Sequence, residues 1–83
     1  MKNLITKKEV FKIIAKSLEV SEKKINENVT SNNLEEWDSV NHLNLLIALD
    51  KILSGKTQKI KDLSESYSVK KIINILKKKK LLK

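Results

Sequence analysis

The chain has 83 residues, 40% of them hydrophobic, with one Gly, no Pro, no Cys, one His and a formal net charge of +8. At this length one small domain is expected, burying only about 60% of its unfolded surface, which leaves little depth for an enclosed active site. Without Cys there is neither a disulfide framework nor cysteine-ligated zinc, and a single His excludes a multi-histidine metal site.

The apolar runs are too short and too charged to span a membrane. Lys7, Lys8 and Glu9 interrupt any secretory core that Met1–Ile5 could begin. The expected location is therefore cytoplasmic. The charge is uneven: residues 9–50 hold four Lys and eight acids, a net −4, whereas residues 51–83 hold eleven Lys and two acids, a net +9. All the cations are Lys. The absence of Arg, the usual tool for bidentate base and phosphate recognition, weighs against sequence-specific nucleic-acid binding.

Periodic Leu, Ile and Lys with almost no Gly or Pro predict an all-α domain. Thr6-Lys7-Lys8-Glu9 reads as a capping box opening a helix over 6–18, with Val10, Phe11, Ile14 and Leu18 on its apolar face. Residues 19–38 form a long connection anchored by Val20, Ile25, Val29 and Leu34, with a short helical turn after Ser21 and a loop over 30–33. Connections this long in small bundles are often functional. A second helix is predicted from Ser39 to Leu53. Leu43, Leu46, Ile47 and Leu53 form one stripe, which Leu45, Leu49 and Ile52 widen, so this helix reads as the central one. Gly55 is its expected C-terminal cap. A short helix follows around 60–65. Ser68 then caps a last helix carrying Val69, Ile72, Ile73 and Leu76. Residues 77–83 read as a basic tail, with Leu81, Leu82 and Lys83 expected to fray. The expected architecture is a small four-helix bundle, three main helices and one short, with a long first connection.

Asp38-Ser39 before the apolar run is a helix-start signal. It puts the Ser39 hydroxyl at or near the surface, beside the positive end of the helix dipole, where a phosphate is stabilised. The plain alternative is an ordinary helix cap. A Ser39–His42 pair with no oxyanion hole or cleft makes a poor hydrolase, and His42 is expected at the surface. Trp37 is expected to pack the connection onto the bundle, and Val40 and Leu43 to be mostly core.

Glu36-Trp37-Asp38-Ser39-Val40-Asn41-His42-Leu43 resembles the Asp-Ser-Leu motif of acyl carrier proteins, in particular the Trp-Asp-Ser-Leu-x-His-Leu variant of stand-alone carriers in specialised pathways. The resemblance covers nearly the whole chain, including the long first connection and Ser68-Val69-Lys70-Lys71-Ile72-Ile73 at the start of the last helix. It implies a non-catalytic four-helix carrier. A phosphopantetheinyl transferase would attach 4'-phosphopantetheine from coenzyme A to Ser39, and the arm's thiol would carry acyl groups as thioesters. The implied partners are that transferase and acyl-activating or acyl-transfer enzymes, with no nucleic acid and no membrane, for a monomeric carrier. Asp38, Val40, Glu35 and Glu36 are the candidates for partner recognition; Asp38 is equally a candidate N-cap. Family members are typically acidic along the second helix. Here that helix is nearly neutral, with Asn41, His42 and Asn44, and the acids precede Ser39 instead. Charge complementarity sets encounter rates, so the expected partners differ from those of the housekeeping carrier of fatty-acid synthesis. A peptidyl or aminoacyl carrier with the same chemistry and a basic helical nucleic-acid-binding protein are the alternatives.

Overall fold

The computed structural model describes residues 4–83; residues 1–3, part of the stretch weighed as a targeting segment, lie outside the described residues. The first helix, α1 (Lys7–Leu18), begins as its sequence predicts. Thr6 Oγ1 accepts the Glu9 N–H at 3.1 Å, and Glu9 Oε1 accepts the Thr6 N–H at 3.0 Å, so each satisfies a donor of the other. Its buried face is Val10, Ile13, Ile14, Ala15 and Leu18, while Phe11 is only half-buried.

Two further helices follow, α2 (Ser39–Ile52) and α3 (Val69–Lys78), with short 3-10 turns at Glu22–Lys24 and Lys61–Glu65. The fold is all-α; the only β pairing among the described residues is two isolated bridges. α1 packs against α2, α3 and the first 3-10 turn. α2 meets α1 and the second turn, and does not approach α3. The central helix is therefore α1, not α2 as the apolar content of α2 suggests.

This arrangement corrects the reading of α2. Only one side of it is covered, so Leu45, Leu49 and the capping residue Leu53 are fully buried, with His42 alongside them. The next stripe round the helix, Val40, Leu43 and Ile47, lies open at 67%, 58% and 50% exposure. Val40 and Leu43 are thus surface residues, not core.

The long connection is packed down by the anchors its spacing predicts. Ile25 and Val29 are buried, Val20 and Leu34 half-buried. Ser21 caps the first 3-10 turn. Asn26 and Asn33 side chains accept backbone N–H groups of the connection, at 2.8 Å each, which stiffens the loop without secondary structure. A single antiparallel bridge, Thr30 to Ser68, ties it to the start of α3 through Ser31 N–H to Tyr67 O and Val69 N–H to Val29 O. Lys7 and Glu27 form an ion pair from α1 to the same loop, and the Lys7 ammonium holds the Glu27 carboxyl below its ordinary value.

The C-terminus does not fray. Leu81 is buried, and Leu82 pairs with Ile5 in a parallel bridge built from Ile5 N–H to Leu81 O and Lys83 N–H to Ile5 O, both 2.8 Å. The backbone reverses at Lys80, whose left-handed φ of 59° lets Leu81 N–H reach Leu76 O and Lys80 N–H reach Lys77 O. That is a Schellman closure, with Leu81 seated near Leu76. α1 closes the same way at Glu19 (φ 59°) and α2 at Ser54 (φ 56°), with Gly55 following at φ 81°. The left-handed position after α2 is thus Ser54, one residue before the expected glycine cap. A side chain makes this conformation costly where Gly would be free. Glu19→Gly and Lys80→Gly are each expected to stabilise the fold by about 0.5–1 kcal/mol, raising the thermal midpoint by roughly 2–8 °C. Thermal unfolding followed by circular dichroism checks this, and a lowered midpoint in both would contradict it.

Candidate functional site

The site is built around the start of α2. Asp38 is its N-cap: the extended backbone there lets Oδ1 accept the Asn41 N–H at 2.8 Å. Ser39 is the first helical residue and is exposed, among the orphan N–H groups of the first turn. Asn41 Nδ2 donates to Glu36 O at 2.9 Å, and Trp37 N–H donates to Leu34 O at 3.0 Å, so the approach is bent tightly onto the helix. Glu35 and Glu36 are exposed beside it. Trp37 turns inward and is 3% exposed, sealing the connection as expected.

His42 is not at the surface. It is buried at 2%, stacked on Tyr67 with ring centroids 3.9 Å apart and on Trp37 with centroids 6.1 Å apart and planes 29° from parallel. Trp37 Nε1–H donates to His42 Nδ1 at 3.0 Å, and His42 Nε2 lies 2.9 Å from Leu63 O. An indole N–H can only donate and a carbonyl can only accept, so the ring is neutral with its proton on Nε2. Burial depresses its pKa below the ordinary 6.5, against the opposing effect of the Leu63 carbonyl. With both nitrogens engaged inward, His42 is not a base for Ser39. The signal in the sequence was its spacing: His42, Leu45 and Leu49 stand at i, i+3 and i+7.

Further along α2 runs a groove of about 590 Å³, lined by Leu46, Ile47, Ile60 and Leu63 with polar groups at one end. Asp50 closes that end by accepting from Thr57 Oγ1 at 2.8 Å and Gln58 Nε2 at 3.0 Å, which ties the following loop to the helix. Hydrogen bonds from Gln58 and Thr57 hold its carboxyl below the ordinary carboxylate value. Sequence reasoning missed both the groove and the open stripe of Leu43 and Ile47, because apolar residues surround α2 and no pattern marks which of them are covered.

The basic third of the chain converges in part. Lys56 and Lys59 of the loop after α2, and Lys79 and Lys80 at the end of α3, rim a second groove floored by Leu4, Ile60 and Leu81. Among the described residues no three His, Asp or Glu side chains gather to hold a metal ion, and no helix is long and apolar enough to cross a membrane. Compared with models of known families, with curated proteins and with solved structures, the chain matches none of them.

Proposed function

We propose that this chain is an acyl carrier: Ser39 takes a 4'-phosphopantetheine arm, whose thiol carries acyl groups as thioesters for a specialised biosynthetic pathway. The observation that supports this best is the setting of Ser39, an exposed hydroxyl at the first position of a fourteen-residue helix capped by Asp38. A phosphodiester on that oxygen meets free backbone N–H groups and the positive end of the helix dipole. The arm supplies the thiol that a chain without Cys lacks. The carrier itself does no chemistry; a transferase activates the hydroxyl, and acyl-activating or acyl-transfer enzymes load and unload the thiol.

In this reading the Lys61–Glu65 turn stands for the short third helix of the four-helix carrier bundle. Glu35, Glu36, Asp38 and Val40 meet the partner enzymes. The open stripe supplies an apolar contact beside them, and the groove along α2 offers the cargo shelter. The carrier works as a cytoplasmic monomer. The same chemistry with an aminoacyl cargo is the nearest variant. Nucleic-acid binding draws support from the lysine-rimmed groove, but no Arg accompanies the lysines, and Trp37 and Tyr67 are stacked on His42 rather than offered to bases.

Mixed with coenzyme A and a promiscuous phosphopantetheinyl transferase, the chain is expected to gain the mass of one arm, and Ser39→Ala to gain nothing. An unchanged intact mass, or a gain that survives Ser39→Ala, overturns the proposal.

A further inference from the structure

His42 joins the bend before α2, α2 itself and a turn twenty-one residues further along the chain. Its ring sits on α2, one turn beyond Ser39. It receives the indole N–H of Trp37, the residue that bends the connection into α2, and it donates to Leu63, a wall residue of the groove on the Lys61–Glu65 turn. The turn also packs on α2 and α3, with Leu63 buried, but its side-chain hydrogen bonds are otherwise internal, Ser64 Oγ–H to Lys61 O and Ser66 Oγ–H to Asp62 O, both 2.7 Å. Ordinary helix packing needs no such two-ended polar contact at a position spaced like Leu45 and Leu49.

We propose that His42 is a positioning residue: its neutral ring is a strut that holds the groove wall at Leu63 and the bend at Trp37 in fixed relation to Ser39, and a proton on the ring releases it. The strut's purpose rests on the reading of Ser39 as the attachment point; the strut itself is measurable without it.

The chemistry is one of donor against donor. A protonated ring carries N–H at both nitrogens, so Nδ1–H would face the Trp37 N–H across a 3.0 Å contact that now has an acceptor. At 2% exposure no water can take over the lost bond. Among the described residues no charged side chain acts on the ring, which feels only its burial and the Leu63 carbonyl. Asp38 faces outward, accepting the Asn41 N–H as the cap, and Glu35, Glu36, Lys61, Asp62 and Glu65 are likewise exposed. α1 brings Glu9, held in its capping box, and exposed Lys7, Lys8, Lys12 and Lys16; α3 brings exposed Lys70 and Lys71. Tyr67 stacks on the ring face and offers it no carboxylate. The sign follows. The unfolded chain binds the proton more readily, so the contact contributes fully above pH 6.5 and is lost progressively as the pH falls below it.

Nuclear magnetic resonance of the full, isotope-labelled chain tests this. At neutral pH, His42 is expected as the Nε2–H tautomer with a protected Trp37 indole N–H. As the ring titrates, that N–H and the amides of residues 61–66 should lose protection together, exchanging roughly tenfold faster or more, while α1 stays protected. His42→Gln, which can donate and accept but not titrate, should abolish the pH dependence; His42→Phe should release residues 61–66 already at neutral pH. Should either variant not fold, the wild-type titration alone decides. The ratio of Ser39 loading rates, His42→Gln to wild type, should rise as the pH falls. An Nδ1–H tautomer, or protection of residues 61–66 that ignores the His42 titration, overturns the strut. Failure of Ser39 to load at neutral pH, with the titration as described, overturns the carrier reading and leaves the strut standing.

Discussion

Leu49→Ala is expected to cost about 3–4 kcal/mol, whereas Leu43→Ala on the same helix should change stability by less than about 0.5 kcal/mol. Leu49 is fully buried on α2, the helix that packs on α1, so its truncation leaves a cavity in the core. Leu43 is 58% exposed, and Ala is the better helix former there. A domain of 83 residues has roughly 4–12 kcal/mol of total stability, so the first substitution removes about a quarter or more of it. Urea denaturation of the two variants beside the parent reads the difference directly. Equal losses would mean that α2 is covered all round, and the open stripe beside Ser39 would not exist. Because Leu43→Ala leaves the fold intact, it also isolates that stripe: any slowing of Ser39 loading in this variant belongs to the partner surface and not to unfolding.

The contrast between those two leucines marks where the sequence stops being informative. Caps are decided within three or four residues, so Thr6 with Glu9, Ser21, Asp38 and Ser68 could all be read from local chemistry, and the helices begin where those residues stand. The last helix was equally plain, since Val69, Ile72, Ile73 and Leu76 lie on one face with lysines opposite, and all four are buried. α2 gave no such direction. Its apolar residues point nearly all round, and the choice of Leu45 and Leu49 over Leu43 and Ile47 depends on where α1 and the Lys61–Glu65 turn come to lie. The placement of Ser39 was legible for the same local reason as the caps. The burial of His42 was not, because its partners Leu63 and Tyr67 are more than twenty residues away and a histidine amid polar neighbours looks like surface. The docked C-terminus was hidden most completely: Lys-rich residues at a chain end read as a solvated tail until Ile5 is brought beside Leu82.

Ending the chain after Lys79 is expected to destabilise it by about 3–5 kcal/mol. Burying one Leu contributes about 1.5–3 kcal/mol, and Leu81 is 7% exposed. Four backbone hydrogen bonds disappear with residues 80–83, at roughly 0.5 kcal/mol or a little more each at the chain end: Lys80 N–H to Lys77 O, Leu81 N–H to Leu76 O, Ile5 N–H to Leu81 O and Lys83 N–H to Ile5 O. Ile5 is fully buried, so its N–H would lose its partner with little water to replace it. Point variants separate the contributions. Leu81→Ser should reproduce most of the loss, while Leu82→Ser should cost little, because Leu82 joins the bridge through its backbone and its side chain is half-exposed. Electrostatics sharpens the test by acting in the opposite direction. Truncation removes Lys80 and Lys83 from a chain of net charge +8, which relieves repulsion around the lysine-rimmed groove. A loosely solvated tail would therefore leave the truncated chain equally or more stable, most visibly at low salt. A large loss at every salt concentration can come only from the packing of Leu81 and the pairing with Ile5.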